Sequence, residues 1–367
     1  VEAVQVRLLA GACGVALTGL IAPDLQAAKL IEFGWDEPDT GFMRQHIREM
    51  EQTPFDGCVF HLTYTKEDGK SGNFTWECWG EEAFSREQLW HAVDDLRTLD
   101  SETFTENFLR FNVTPGNVDW FDDFSAILSN ARLAAEIARA ARCPGILFDI
   151  EQYNSQLFSY QAMRDKDAKS FDEYAAQVRK RGAEVMEAFQ EPFPDMTVFL
   201  TFGYCLPWYQ AGSREKLPEA SYGLLAPFFD GMLEAANEGV TFVDGHEASY
   251  PYQERAQFET ARRVMTQDLL PLVADPETYL QHLSVAFGVW MDCNWRNVGW
   301  ATGPFAGNHF LPMQLKQSVE AALELCDEYV WLYSETPRWW SAEGPQKLPR
   351  AYVRAVRTAK EEARGGN

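Results

Sequence analysis

Two carboxylates close a short apolar run in Gly145-Ile146-Leu147-Phe148-Asp149-Ile150-Glu151. A run of this kind reads as a buried strand of a parallel sheet. Charges at its end are not there for packing, because burying an unpaired charge is costly. Residues i and i+2 of a strand share a face, so Asp149 and Glu151 point the same way, about 6.5 Å apart along the chain. Two carboxylates aimed together from a rigid element suit acid/base chemistry.

The elements that hold such a pair follow from hydrophobic periodicity. Strand-like runs are expected at 29–36, 57–64, 104–113, 145–151, 196–204, 240–243, 283–290 and 329–333. A helical run follows each: 41–52, 85–99, 119–142, 172–190, 224–237, 254–269, 315–326 and 348–363. Ser85 with Gln88 three residues later has the form of a capping box, and Asp39 or Thr40 is placed to cap the first helix. Segment 208–223 reads as an extended loop. A long polar loop after the second strand carries Phe74, Trp76 and Trp79, and loops of that length in compact domains are often functional. Strands alternating with helices imply a parallel sheet, and eight repeats imply a single (β/α)8 barrel, a TIM barrel with long βα loops, over 28–367. A doubly wound sheet is the structural alternative. Against it, no Gly-x-Gly-x-x-Gly follows the first strand and no Walker sequence occurs, so no cofactor is expected. Glu32 fits either an interior position or a shifted register.

In a barrel of this kind the chemistry gathers at the C-terminal strand ends. That brings together Trp35, Asp36, His61, Tyr64, Asn112, Asp149, Glu151, Tyr204, Asp244, His246, Glu247, Asp292 and Glu335, with Trp290, Trp331 and Tyr333 beside them. A ring of carboxylates interleaved with aromatics is what glycoside hydrolysis needs. Carboxylates protonate the leaving oxygen and attack or stabilise the anomeric centre, while aromatic faces stack on sugars. Glu151 is the expected acid, Asp149 its assistant, and Glu335 and Glu247 the leading partners across the ring, ahead of Asp244 and Asp292. His61, His246 and His309 are scattered, with no zinc spacing, so no metal is expected. No Gly-x-Ser-x-Gly occurs.

Gly145 to Glu151 resembles the fourth strand of chitinase-type family 18 glycoside hydrolases, whose signature is Asp-Gly-x-Asp-x-Asp-x-Glu. Gly145, Asp149 and Glu151 match it, while Pro144 and Leu147 stand where the first two Asp would be. Phe242-Val243-Asp244 stands where that family has Met-x-Tyr-Asp. The resemblance implies a general acid at Glu151 and an Asp149 that orients the N-acetyl group of a substrate.

Bulk properties bound the partners. Of 367 residues, 46% are hydrophobic, which marks a globular chain. With 55 acidic against 32 basic residues the net charge is −23, which repels nucleic acid and anionic membrane surfaces. Aromatics make up 14%, including 12 Trp, in keeping with a carbohydrate substrate. The oligomeric state is left open. The apolar stretch Leu8–Ala22, after Arg7 and before Leu25-Gln26-Ala27, reads as a signal peptide over 1–27. A secreted or periplasmic mature protein with no inserted membrane segment is therefore expected. Six cysteines then remain, with isolated buried thiols expected over a disulfide framework. The sequence thus points to a glycosidase cleaving O-glycosidic bonds of an oligo- or polysaccharide. A non-catalytic carbohydrate-binding barrel and an acidic interaction domain are its rivals.

Overall fold

Apolar strands buried on both faces need a closed sheet wrapped by helices, and the chain builds one. A computed structural model describes residues 28–294, 297, 299–341 and 346–365. The expected signal peptide lies outside the described residues. The barrel strands are β1 (Lys29–Glu32), β2 (Gly57–Phe60), β3 (Phe108–Asn112), β4 (Gly145–Asp149), β5 (Thr197–Leu200), β6 (Thr241–Asp244), β7 (Leu283–Val285 and Phe287–Trp290) and β8 (Tyr329–Tyr333). Each pairs in parallel with its neighbour in sequence, and β8 pairs with β1 through Leu30↔Val330. The first segment of β7 pairs with β6 and the second with β8. The nine segments therefore occupy eight positions of one closed ring, a (β/α)8 barrel.

Strand alternation divides the core in two. Ile31, Phe33, Val59, Phe108, Leu147, Phe199, Val243, Tyr329 and Trp331 fill the interior. Leu30, Phe60, Phe111, Ile146, Phe148 and Val198 pack in the larger cluster that includes the helices. Glu32, between Ile31 and Phe33, therefore belongs to the outer layer, which resolves the question its sequence position raised. Outside lie α1 (Thr40–Met50), α2 (His91–Arg97), α3 (Ser125–Ala140), α4 (Phe171–Gln190), α5 (Leu225–Ala235), α6 (Arg255–Arg263), α7 (Pro312–Leu325) and α8 (Arg350–Gly365).

Local chemistry sets the boundaries. Asp39 caps α1 by accepting from Phe42 N at 2.7 Å, and Ser85 N donates to Gln88 Oε1 at 2.8 Å in the expected box. The third helix starts at Ser125, not at Asp119. Asp119 accepts from Phe121 N, Asp122 from Asp119 N and Asp123 from Ser125 N, and such side-chain bonds hold the backbone in turns that compete with helix. Segment 208–223 is not a loop throughout, because Cys205–Ala211 is a short helix ended by Gly212 at φ 68°. Cys58, Cys78, Cys143 and Cys205 are buried thiols. Among the described residues no helix is long and apolar enough to cross a membrane.

Candidate active site

β4 carries the inward alternation of Leu147 to Asp149, and Glu151 follows just past the strand end. Asp149 is fully buried. Its Oδ2 accepts from Arg110 Nε at 3.0 Å and from Tyr153 OH at 3.2 Å, with a further short contact from Arg110 Nη2. Its Oδ1 accepts from Glu151 N at 3.1 Å. Arg110 lies on β3 and donates from Nη1 to Glu37 at 2.7 Å, and His61 stands 3.4 Å from Glu37. A line of hydrogen-bonded polar and charged groups, His61–Glu37–Arg110–Asp149, therefore crosses the barrel mouth. Burial raises Glu37, but Arg110 and His61 outweigh it and hold the carboxyl below its ordinary value. The Arg110 guanidinium also lies over the Trp76 and Phe33 rings, 4.9 and 5.1 Å from their centroids, a cation–π arrangement that helps hold the charge away from water.

Above this line opens a cleft of about 730 Å³, lined by Phe33, Trp35, Glu37, His61, Asn73, Trp76, Arg110, Glu151, Tyr153, Glu247, Tyr250, Trp290, Tyr333 and Glu335. A second lobe of about 440 Å³ shares Glu151, Glu247, Tyr250 and Trp290 with it, and adds Phe202, Leu206, Tyr209, Tyr222, Ala248 and Pro251. Trp35, 66% exposed, and Tyr153, 44% exposed, form part of the rim. Tyr250 stacks on Tyr333 with ring centroids 5.2 Å apart.

Glu151 and Glu247 stand where the two lobes meet, and neither has a cation within ion-pair distance among the described residues. Burial, then the charges of Asp149 and Glu247, hold the Glu151 carboxyl well above its usual range. Burial and the charge of Asp149 push Glu247 up to about 7. Glu335 is also raised, by burial and then by Asp292, and accepts from Tyr333 OH at 3.2 Å.

Of the residues expected from sequence, Trp35, His61, Glu151, Glu247, Trp290, Tyr333 and Glu335 line the cleft. The others do not reach it. Asp149 is enclosed beneath Glu151. Asp36 accepts from the backbone of Trp339, Trp340 and Ser341, and so ties the first βα loop to the segment after β8. Asp292 likewise holds Glu335 N and Thr336 N. Tyr64 donates to Glu77 and Tyr204 to Asp230, Asn112 accepts from Thr114, and Trp331 donates to Gly245 O inside the barrel. Asp244 and His246 are buried behind the wall beside Cys205. Asp36, Tyr64, Tyr204 and Asp244 point one residue out of phase with the mouth, Asn112, Asp149 and Trp331 face inward but lie below it, and Asp292 is drawn into loop backbone. Phe33, Glu37, Asn73, Trp76, Arg110, Tyr153 and Tyr250 also line the cleft, though none was among the expected site residues. Two signals pointed to some of them: Tyr153 continues the period of Asp149 and Glu151, and Trp76 lies in the long loop after β2.

No family model and no curated relative matches the chain. Among solved structures, a GH5_18 protein from Streptomyces cattleya in complex with GlcNAc is similar at 11% identity and a TM-score of 0.43, over 93% of this chain and 82% of that one. An engineered protein is similar at 11% identity and a TM-score of 0.45, over 92% and 70%. The fold assignment rests on the closed sheet of this chain itself.

Proposed function

We propose that the protein is a glycoside hydrolase in which Glu151 and Glu247 act as the carboxylate pair. One observation carries this reading. Both carboxylates line the junction of the two cleft lobes, unpaired with any cation among the described residues. Glu151 is the general acid. Burial and the charge of Asp149 favour its protonated form, and it delivers that proton to the leaving oxygen. Glu247 attacks the anomeric carbon or activates the water that does. Asp149 is a positioning residue, since its enclosed carboxylate orients Arg110, Tyr153 and the Glu151 backbone rather than touching an N-acetyl group. The lobe with Glu37, His61, Asn73 and Arg110 offers hydrogen-bonding groups to a sugar. The lobe with Phe202, Leu206, Tyr209 and Tyr222 offers apolar faces to what is attached to it. This favours glycosides with a polar unit on one side of the scissile bond and an apolar face on the other.

Glu151→Gln and Glu247→Gln, checked for folding by circular dichroism, are each expected to lower kcat by roughly 10²–10⁴-fold on chromogenic glycosides or polysaccharides that the wild type cleaves. Wild-type turnover in Glu151→Gln would sink the assignment. Glycan affinity without turnover by the wild type, across a broad panel, would identify a binding protein instead.

A further inference from the structure

Beneath the second lobe of the cleft, which Cys205 helps to line, three metal-ligating side chains meet in the buried layer outside the barrel. Cys205 opens the short helix after β5, Asp244 ends β6, and His246 follows two residues later. One ligand atom from each lies within 4.8 Å of the others, and all three residues are buried. Cys205 Sγ is 3.8 Å from Asp244 Oδ1, and His246 N donates to the same oxygen at 3.0 Å. The remaining capacity is idle: Asp244 Oδ2 and both ring nitrogens of His246 have no hydrogen-bond partner among the described residues. His246 is 0% exposed. A buried imidazole with two unmet nitrogens, beside a carboxylate with an unmet oxygen, is unfavourable unless a further partner satisfies them. Bonds to Zn²⁺ of about 2.0–2.3 Å put tetrahedral ligands within an ångström or so of this spacing. An approach to the carboxylate is kept open at Gly203, where a Cβ would stand 2.4 Å from Asp244 Oδ2.

We propose that Cys205, Asp244 and His246 bind one zinc-class divalent cation. Thiolate, imidazole and carboxylate together suit Zn²⁺ rather than Mg²⁺ or Ca²⁺. On binding, the Cys205 thiol releases its proton to solvent as the sulfur–metal bond forms, and thiolate and carboxylate match the two positive charges. No fourth His, Cys, Asp or Glu joins the group among the described residues, so water takes the remaining position. The ion ties the short helix after β5 to the end of β6. It also fixes His246, whose backbone is left-handed at φ 41° and ψ 60°, one residue before Glu247. The alternative is a histidine packed only among the rings of Tyr209, Tyr252 and Phe287.

The test uses the full chain, stripped with chelator, reloaded with Zn²⁺ and dialysed, with metal counted by mass spectrometry. Wild type should retain one equivalent, and zinc should raise its Tm and shield Cys205 from alkylation. Co²⁺ in place of zinc should give a thiolate-to-metal charge-transfer band. Cys205→Ala and His246→Gln should lose the equivalent, and Cys205→Ala the band. A wild type without stoichiometric metal, without the band and with Cys205 unprotected overturns the proposal, even if the variants fail to fold. So does a Cys205→Ala that keeps both equivalent and band. None of these readouts depends on hydrolysis.

Discussion

Asp149 acts on Glu151 through its charge and through one backbone bond, and these two influences can be separated. Burial is the larger cause of the raised Glu151 carboxyl, and the Asp149 charge comes next. Arg110 opposes it from the other side and is itself held by Glu37 as well as by Asp149. Asp149→Asn keeps the shape, leaves Arg110 paired with Glu37, and removes the negative charge nearest the acid. The Glu151 carboxyl should then lose its proton at lower pH. A general acid is active while protonated, so activity is lost as pH rises through its folded value. The alkaline limb of the kcat profile is therefore expected to move to lower pH in Asp149→Asn, by an amount read from kcat measured between pH 4 and 9 (an assay window of about five units around the carboxylate and imidazole ranges). An unmoved limb would show that the limb belongs to another group. The residue pair itself was legible in sequence, since an apolar run ending in two carboxylates has few packing explanations. The line of groups beneath it was not, because Glu37, His61 and Arg110 come from the loop after β1, the end of β2 and the middle of β3, and meet only when these neighbouring strands pair.

The strands and helices were legible where hydrophobic period is strong, and their limits were misread where side chains capture backbone. The third strand begins at Phe108 rather than Phe104. Ser101 Oγ takes the Phe104 N–H, and Asn107 spends its side chain on Phe104 O and Cys58 N, so the segment before Phe108 turns instead of pairing. The short helix Cys205–Ala211 escaped because Pro207 and the loop residues around it hide a period of only two turns. Asp36 and Asp244 were gathered into one site because strand-end position was read without phase, while Asn112 lies below the mouth beside Asp149, and Asp292, in phase with Trp290, is taken up instead by Glu335 N and Thr336 N. At the head of β4, Gly145 matched a family signature, but its requirement here is steric. A Cβ on Gly145 would meet Thr197 O at 1.8 Å, with Thr197 C and N at 2.6 and 2.9 Å. Those are backbone atoms of the paired strand, so no rotamer change relieves them. Gly145→Ala is expected to separate β4 from β5 and to exceed the roughly 1–3 kcal/mol usual for overpacking. Urea unfolding, or loss of soluble folded protein, checks it. A loss below about 1 kcal/mol would mean that the two strands give way at little cost.

The net charge of −23 means that, for the whole molecule, extra negative charge is unwelcome, and one carboxyl is held where it cannot afford ionisation. Glu32 lies in the layer between the barrel and its helices, 0% exposed, with neither oxygen hydrogen-bonded among the described residues. Burial, then the charges of Asp36 and Glu37, hold it well above its usual value, and Arg338 offsets them only in part. The native state therefore keeps a proton that the unfolded chain releases near pH 4.5. Stability falls wherever the native state binds more protons than the unfolded one. The contribution of Glu32 is thus fully present below its unfolded value and is lost as pH rises from there through its folded value, by about 1.4 kcal/mol per pH unit in that window. Glu32→Gln replaces the protonated carboxyl with a neutral group of the same shape and removes the proton linkage. Its unfolding free energy should match wild type near pH 4 and exceed it by a margin that widens towards neutral pH, as read from urea unfolding at matched ionic strength. A constant difference between the two proteins across that range would place the ionised carboxylate beside a partner and remove Glu32 from the pH dependence of the fold.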